Sequence, residues 1–199
     1  MDPNCIFCQI AQGKVAAKRV YDDEKCAAVL DINPAAKGHM LLLPKTHAAV
    51  LPQLHPEEAG HLLVVAKSLS NALLRAYKAG GTTILLANGA VAGQRAPHLM
   101  LHIIPRFEGD GLGLILPKKG IAPDDLQKCQ ELLLPKVSKA FGLSDDIVAK
   151  WKVTVEKMPP KITEANADQK TPRGRPEAQP VQDNSKKEVD LDMISRLFK

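Results

Sequence analysis

The sequence predicts a mixed fold of strands and helices in one domain, followed by an extension. Three observations carry this expectation. His98-Leu99-Met100-Leu101-His102-Ile103-Ile104-Pro105 alternates apolar residues with polar or heteroatom-bearing ones. A period of two marks a strand, so His98, Met100 and His102 should share one face. Pro56 to Lys78 instead places Leu62, Val65, Leu69, Leu73 and Ala76 at helical spacing. After residue 158 the chain turns proline-rich and charged, with Pro159, Pro160, Pro172, Pro176 and Pro180. Such a segment buries too little to offset its ordering entropy.

The elements follow in order. Residues 5–10 hold a Cys-x-x-Cys turn. Lys18–Asp22 and Cys26–Asp31 read as a hairpin around Asp23-Glu24. Asp31-Ile32-Asn33-Pro34 ends its second strand, and Gly38–Pro44 is a short apolar run that reads as a buried strand. Pro56 and Glu57-Glu58 suit the first turn of the main helix, and Gly80-Gly81 should end it. Thr82–Ala87 reads as a strand, Asn88–Arg95 as a glycine-containing loop, and Ala96–Pro105 as the histidine strand. Pro123–Phe141 places Leu126, Cys129, Leu133, Val137 and Ala140 on one helical face, with Pro135 as a kink. Ser144–Trp151 is a shorter helix. The expected divisions are a domain over 5–110, a helical extension over 111–158, a disordered linker over 159–188 and an amphipathic segment over 189–199. In the last, Leu191, Ile194, Leu197 and Phe198 fall on one helical stripe. A stripe this short orders only against a groove, which suggests a protein partner or the domain itself; the alternative is a frayed terminus whose apolar residues have no role.

Composition narrows the function classes. Hydrophobic residues make up 45% and aromatics only 4%, so the core must be aliphatic. The net charge of +5 suits an anionic small molecule. The lysines between 115 and 175 are scattered without interleaved aromatics, so nucleic-acid binding is not expected. No run reaches the roughly 18 apolar residues of a membrane span, and the first residues do not read as a secretory signal. The expectation is a cytoplasmic protein whose four cysteines serve metal binding or burial rather than disulfides.

Two constellations carry chemistry. Cys5 and Cys8 have the spacing of half a zinc site; structural zinc takes four ligands, with the six histidines as candidates, and the alternative is two free thiols. His98 and His102, following a loop with Asn88, Gly89, Gly93 and Gln94, form a candidate site for a phosphate, a metal or a proton. The bland alternatives are hydrogen-bonded structural histidines and a turn that merely needs glycine.

Several segments in the right order then resemble the histidine triad (HIT) family of nucleotide-binding hydrolases and transferases, over about residues 5–110. They are Cys5-Ile6-Phe7-Cys8-Gln9-Ile10, Asp31-Ile32-Asn33-Pro34, Gly38-His39, Leu43-Pro44-Lys45-Thr46-His47, Asn88-Gly89-Ala90-Val91-Ala92-Gly93-Gln94 and His98 through Arg106. The resemblance implies an α+β fold with an antiparallel sheet and one main helix. It also implies a homodimer with a purine nucleotide in a cleft. It places Asp31 at the ribose hydroxyls, Ile32 at the base, and Asn88, Gln94 and His102 around the α-phosphate, with His39 packed in support. In the zinc-containing branch, the resemblance gives a structural zinc ion held by Cys5, Cys8, His47 and His98.

The departure is Met100, at the position of the family's nucleophilic histidine. A thioether exchanges no proton and forms no competent nucleotidyl intermediate. Met100 then reads in three ways: a core filler, part of a pocket that binds without turnover, or a sign of rerouted chemistry through water activated by His102 or a different nucleophile. The reading adopted is a nucleotide-binding pseudoenzyme with weak or lost catalysis. A rerouted hydrolase and a scaffold that recruits a partner through 189–199 stay open. Arg95 stands where small hydroxyl residues are common, either reaching a phosphate or facing solvent, with solvent the preferred reading.

Overall fold

A computed structural model describes residues 2–113, residue 116 and residues 119–151. The linker over 159–188 and the segment over 189–199 lie outside the described residues, as does the end of the helical extension. The chain divides into two units, residues 1–115 and 116–199.

The first unit is an α+β domain. Five strands, β1 (Arg19–Asp22), β2 (Cys26–Leu30), β3 (Met40–Pro44), β4 (Gly81–Leu85) and β5 (Leu101–Arg106), form one sheet in the order β1-β2-β3-β5-β4. Every neighbouring pair is antiparallel. Short helix α1 (Ile6–Ala11) and long helix α2 (Pro56–Tyr77) complete it.

Alternation along β5 divides the core. Leu99, Leu101 and Ile103 pack with Leu42, Met40 and the buried stripe of α2, namely Leu62, Val65, Ala66, Leu69 and Leu73. Each such large aliphatic contributes about 1.5–3 kcal/mol by leaving water. A second cluster of Ala11, Val29 and Leu43 takes in Phe7, Ile10, Leu41 and Met100. The expected segregation of odd and even residues therefore holds. The expected strand does not start at Ala96, however. His98 lies in a bend, and regular pairing begins only at Leu101.

Two further expectations change. Helix α2 ends at Tyr77, stopped by Lys78 in the left-handed conformation (φ 51°) before either glycine is reached. Ala76, expected on the buried stripe, is exposed.

Polar clasps tie the pieces together. The Arg19 guanidinium donates to the Ile10 carbonyl at 2.7 Å and the Ala11 carbonyl at 3.2 Å, closing the C-terminal end of α1 against β1. In the β1–β2 turn, Asp23 Oδ1 accepts from the backbone N–H groups of Lys25 and Cys26 at 2.8 and 2.7 Å. Its Oδ2 accepts from the Tyr21 hydroxyl and from His61 Nε2 on α2, both at 2.6 Å. One carboxylate thus pins the hairpin to the long helix. Burial opposes its ionisation, but hydrogen bonds from Tyr21, the Cys26 N–H, His61 and the Lys25 N–H outweigh it and hold Asp23 well below the usual carboxylate range. The same contact pushes Tyr21 up to about 12.

The second unit contains α3 (Pro123–Phe141), with Pro135 inside it, and α4 (Asp145–Trp151). The Gln130 side-chain amide donates to the Trp151 carbonyl at 2.8 Å. The expected apolar face of α3 is not buried: Leu126, Cys129, Leu133 and Ala140 are exposed and Val137 is half-buried. Helical spacing establishes an amphipathic helix, not the burial of its face.

Candidate functional site

The sequence pairs His98 with His102, but the structure gives each a separate neighbourhood. His98 is fully buried. Its Nδ1 lies 3.6 Å from both Cys5 Sγ and Cys8 Sγ, and His47 Nδ1 lies 3.2 Å from Cys8 Sγ. Two local features build this cluster. Helix α1 begins just after Cys5 and carries the buried Cys8 on its first turns. The Leu99 N–H donates to the Ala48 carbonyl at 2.7 Å, holding the segments that bear His47 and His98 side by side.

The four donors are compatible with zinc. In a tetrahedron with Zn–S near 2.3 Å and Zn–N near 2.05 Å, the N···S edge is about 3.5 Å, and the observed separations are 3.2–3.6 Å. The Pro44 carbonyl lies 3.2 Å from His98 Nε2, which places the ring proton there and leaves the Nδ1 lone pair toward the sulfurs. Burial also lowers the His98 pKa, favouring the neutral, ligating form.

His102 faces another partner. His39 Nε2 lies 3.0 Å from His102 Nδ1, and the Ala35 N–H donates to His39 Nδ1 at 3.1 Å. This chain of contacts fixes both tautomers. His39 accepts at Nδ1 and donates from Nε2, so His102 accepts at Nδ1 and carries its proton on Nε2. Asp31 Oδ2 lies 3.5 Å from His39 Nδ1, longer than a normal hydrogen bond. Burial pushes the pKa of both imidazoles down, partly opposed by the Asp31 charge. Both are neutral near pH 7, and His102 Nε2 is a neutral donor.

These residues border a cavity of about 930 Å³. Asp31, Ile32, His39, Gln94, Met100 and His102 all line it. Asn88 does not: its Oδ1 accepts from the Leu51 N–H at 2.9 Å, at the base of the loop. Gln94 lines the cavity, yet its amide is committed to the protein. Its Oε1 accepts from the Gly89 N–H at 2.7 Å, and its Nε2 donates to the carbonyls of Ala49 and Ala96 at 2.6 and 2.8 Å. It shapes the loop, which turns through Gly89 and Gly93 at φ near +90°. Sequence reasoning missed the apolar wall from Ile6, Phe7 and Ile10 of α1, and Leu41 from β3. The i, i+4 spacing of Ile6 and Ile10 was the available signal.

A HIT domain profile matches residues 12–109. An uncharacterized HIT-like protein of Methanocaldococcus jannaschii is 43% identical over 107 residues, covering 54% of this chain and 82% of the relative. The chain belongs to the HIT family. Adenosine 5'-monophosphoramidase hnt1 of Schizosaccharomyces pombe is 33% identical over 135 residues, 67% of this chain and 98% of the relative. Among solved structures, the histidine triad nucleotide-binding protein of Candida albicans matches with a TM-score of 0.63 at 31% identity, covering 69% of this chain and 99% of that one. A Zn-bound histidine triad family protein of Mycobacterium smegmatis matches with a TM-score of 0.53 at 34% identity, covering 58% and 84%. The HIT relatives support a nucleotide-binding hydrolase ancestry for this chain.

Proposed function

We propose that this HIT protein binds a purine nucleotide or nucleotide conjugate in the cavity of Asp31, Met100 and His102, and that its hydrolase activity is weak or lost. The observation that carries this reading is the place of Met100. It borders the same cavity as the His39–His102 pair, at the position that the family resemblance gives to the nucleophile. Three of the expected binding groups line the same cavity. Asp31 offers a carboxylate for a sugar diol, Ile32 and the α1 wall offer apolar surface for a base, and His102 Nε2–H offers a phosphate donor. A thioether supplies neither an attacking lone pair of useful basicity nor a proton. Loss of a covalent nucleophile removes orders of magnitude of rate while binding groups persist.

Cys5, Cys8, His47 and His98 form a closed four-donor set, which supports a structural zinc ion with no open position. Such an ion would fasten α1, and with it the cavity wall, to the segments bearing His47 and His98. A homodimer fits the exposed edge of the sheet. Strand β4 is terminal in the sheet, and its Ile84 and Leu85 are 45% and 41% exposed. The four cysteines are free, which suits a cytoplasmic setting. Among the described residues, no helix is long and apolar enough to cross a membrane. The partner-recruiting reading falls on 189–199, which lie outside the described residues.

Isothermal calorimetry with AMP and GMP tests the binding reading. Binding should be measurable in the millimolar range or tighter. Asp31→Ala should weaken it about tenfold or more, since a hydrogen bond to a charged group is worth about 1.5–3 kcal/mol. Absence of binding to the intact protein would favour a pure scaffold.

A further inference from the structure

We propose that Arg95 makes this cavity select a nucleoside diphosphate group over a nucleoside monophosphate. The proposal rests on the nucleotide reading above and extends it from the nucleoside to the phosphate chain. Charge is unevenly placed around the cavity. Asp31 is its one carboxylate and Arg95 its one lysine or arginine among the described residues. Both imidazoles on the wall are held neutral by burial. The N–H groups of Gly89, Ala92, Gly93 and Gln94 are spent inside the loop, so the first phosphate meets one neutral side-chain donor, His102 Nε2–H. A second phosphate adds charge that this donor does not balance.

Depth orders the contacts. His39 is 5% exposed, and Met100 is half-buried. Arg95 is exposed, yet it borders the same cavity. His39 is thus the most buried of these residues, His102 is half-buried and Arg95 is the exposed one on the same cavity. A phosphate chain that starts at His102 and grows toward solvent has Arg95 as the cation bordering its path.

Arg95 is also held in place and unspent. The Gln94 amide binds Gly89, Ala49 and Ala96, so the backbone on either side of Arg95 is anchored. Among the described residues, the Arg95 side chain has no hydrogen-bond or ion-pair partner, unlike Arg19 and Arg106, which are tied to Asp22 and Asp110. A planar guanidinium matches phosphate oxygens two at a time. The competing role is that of an ordinary exposed cation, whose attraction is weak and screened.

The test is calorimetry of the full chain with AMP and ADP, repeated on Arg95→Ser and Arg95→Lys. ADP should bind the wild type about tenfold or more tightly than AMP, an advantage of about 1.4 kcal/mol. In Arg95→Ser the ratio should fall close to unity while AMP affinity changes less than about twofold. Arg95→Lys should keep part of the preference, because charge survives without the fork. Higher salt should shrink the ADP advantage in the wild type and leave Arg95→Ser unaffected. An unchanged ADP/AMP ratio in Arg95→Ser, or no ADP preference in the wild type, overturns the proposal while AMP binding stands. If neither nucleotide binds the wild type, the nucleotide reading itself falls and takes this proposal with it.

Discussion

Gly38 immediately precedes His39, and its replacement by alanine would strain the site's frame in two separable ways. Its φ is +95°, a region that side-chain-bearing residues occupy at a cost of about 1–3 kcal/mol. An added Cβ would also lie 2.8, 3.0 and 3.3 Å from Cε2, Cζ and Cδ2 of Tyr77. Overpacking of this kind costs about 1–3 kcal/mol, and Tyr77, 38% exposed, has room to swing, which places the cost at the low end. Together Gly38→Ala should destabilise the domain by about 2–4 kcal/mol, lowering Tm by roughly 8–20 °C for a unit of this size. Denaturant melts of Gly38→Ala, Tyr77→Ala and the double variant separate the terms. Without the tyrosine ring, Gly38→Ala should cost only the backbone share. A penalty under about 0.5 kcal/mol in the wild-type background, within the range of ordinary surface substitutions, would refute the strain. Equal penalties in both backgrounds would refute the clash.

The proposed metal site predicts about one zinc per chain by elemental analysis of protein prepared without chelator, falling sharply in Cys8→Ser together with Tm. Absence of zinc from the wild type would remove the metal from the account. The Asp23 clasp predicts a pH dependence. Its folded pKa lies below the unfolded value of about 3.9, so its stabilisation is present above that pH and is lost as pH falls through the folded value. Asp23→Asn should therefore be less stable at neutral pH, with the deficit shrinking in acid, where a pH-independent deficit would contradict the clasp. The same variant should bring Tyr21 down from about 12 toward the ordinary value near 10, visible by ultraviolet titration as earlier phenolate formation.

Much of the frame was legible because local chemistry and tertiary packing agree. Period two at 98–105 and helical spacing at 62–73 each found the buried faces they imply. The bounds slipped where another force decided. Regular pairing starts at Leu101 because His98 is drawn into the Cys5–Cys8 cluster and cannot also keep a ladder. Helix α2 stops at Lys78 rather than at the glycines because a left-handed lysine closes it first. The site was legible through motif resemblance more than through spacing. Spacing alone put His98 and His102 together, whereas their real partners, Cys5/Cys8 and His39, lie more than 60 residues away in the chain. Gln94 and Asn88 were expected to face a ligand, but their amides hold the loop, a distinction that residue type does not carry. The Asp23–His61 contact left no trace in the sequence, because a turn aspartate and a helix histidine are each unremarkable alone.

The proposed function has a cavity that keeps Asp31 and His102 for binding and lacks a nucleophile at position 100. Steady-state hydrolysis of adenosine phosphoramidate by the wild type and by Met100→His tests it most directly. The wild type should turn over at or near background, and Met100→His should gain several orders of magnitude, with an AMP adduct trapped on the new imidazole. Comparable turnover in both proteins would contradict the account and point to chemistry that bypasses position 100. A histidine variant that stays inactive while binding AMP would show that more than the nucleophile is missing.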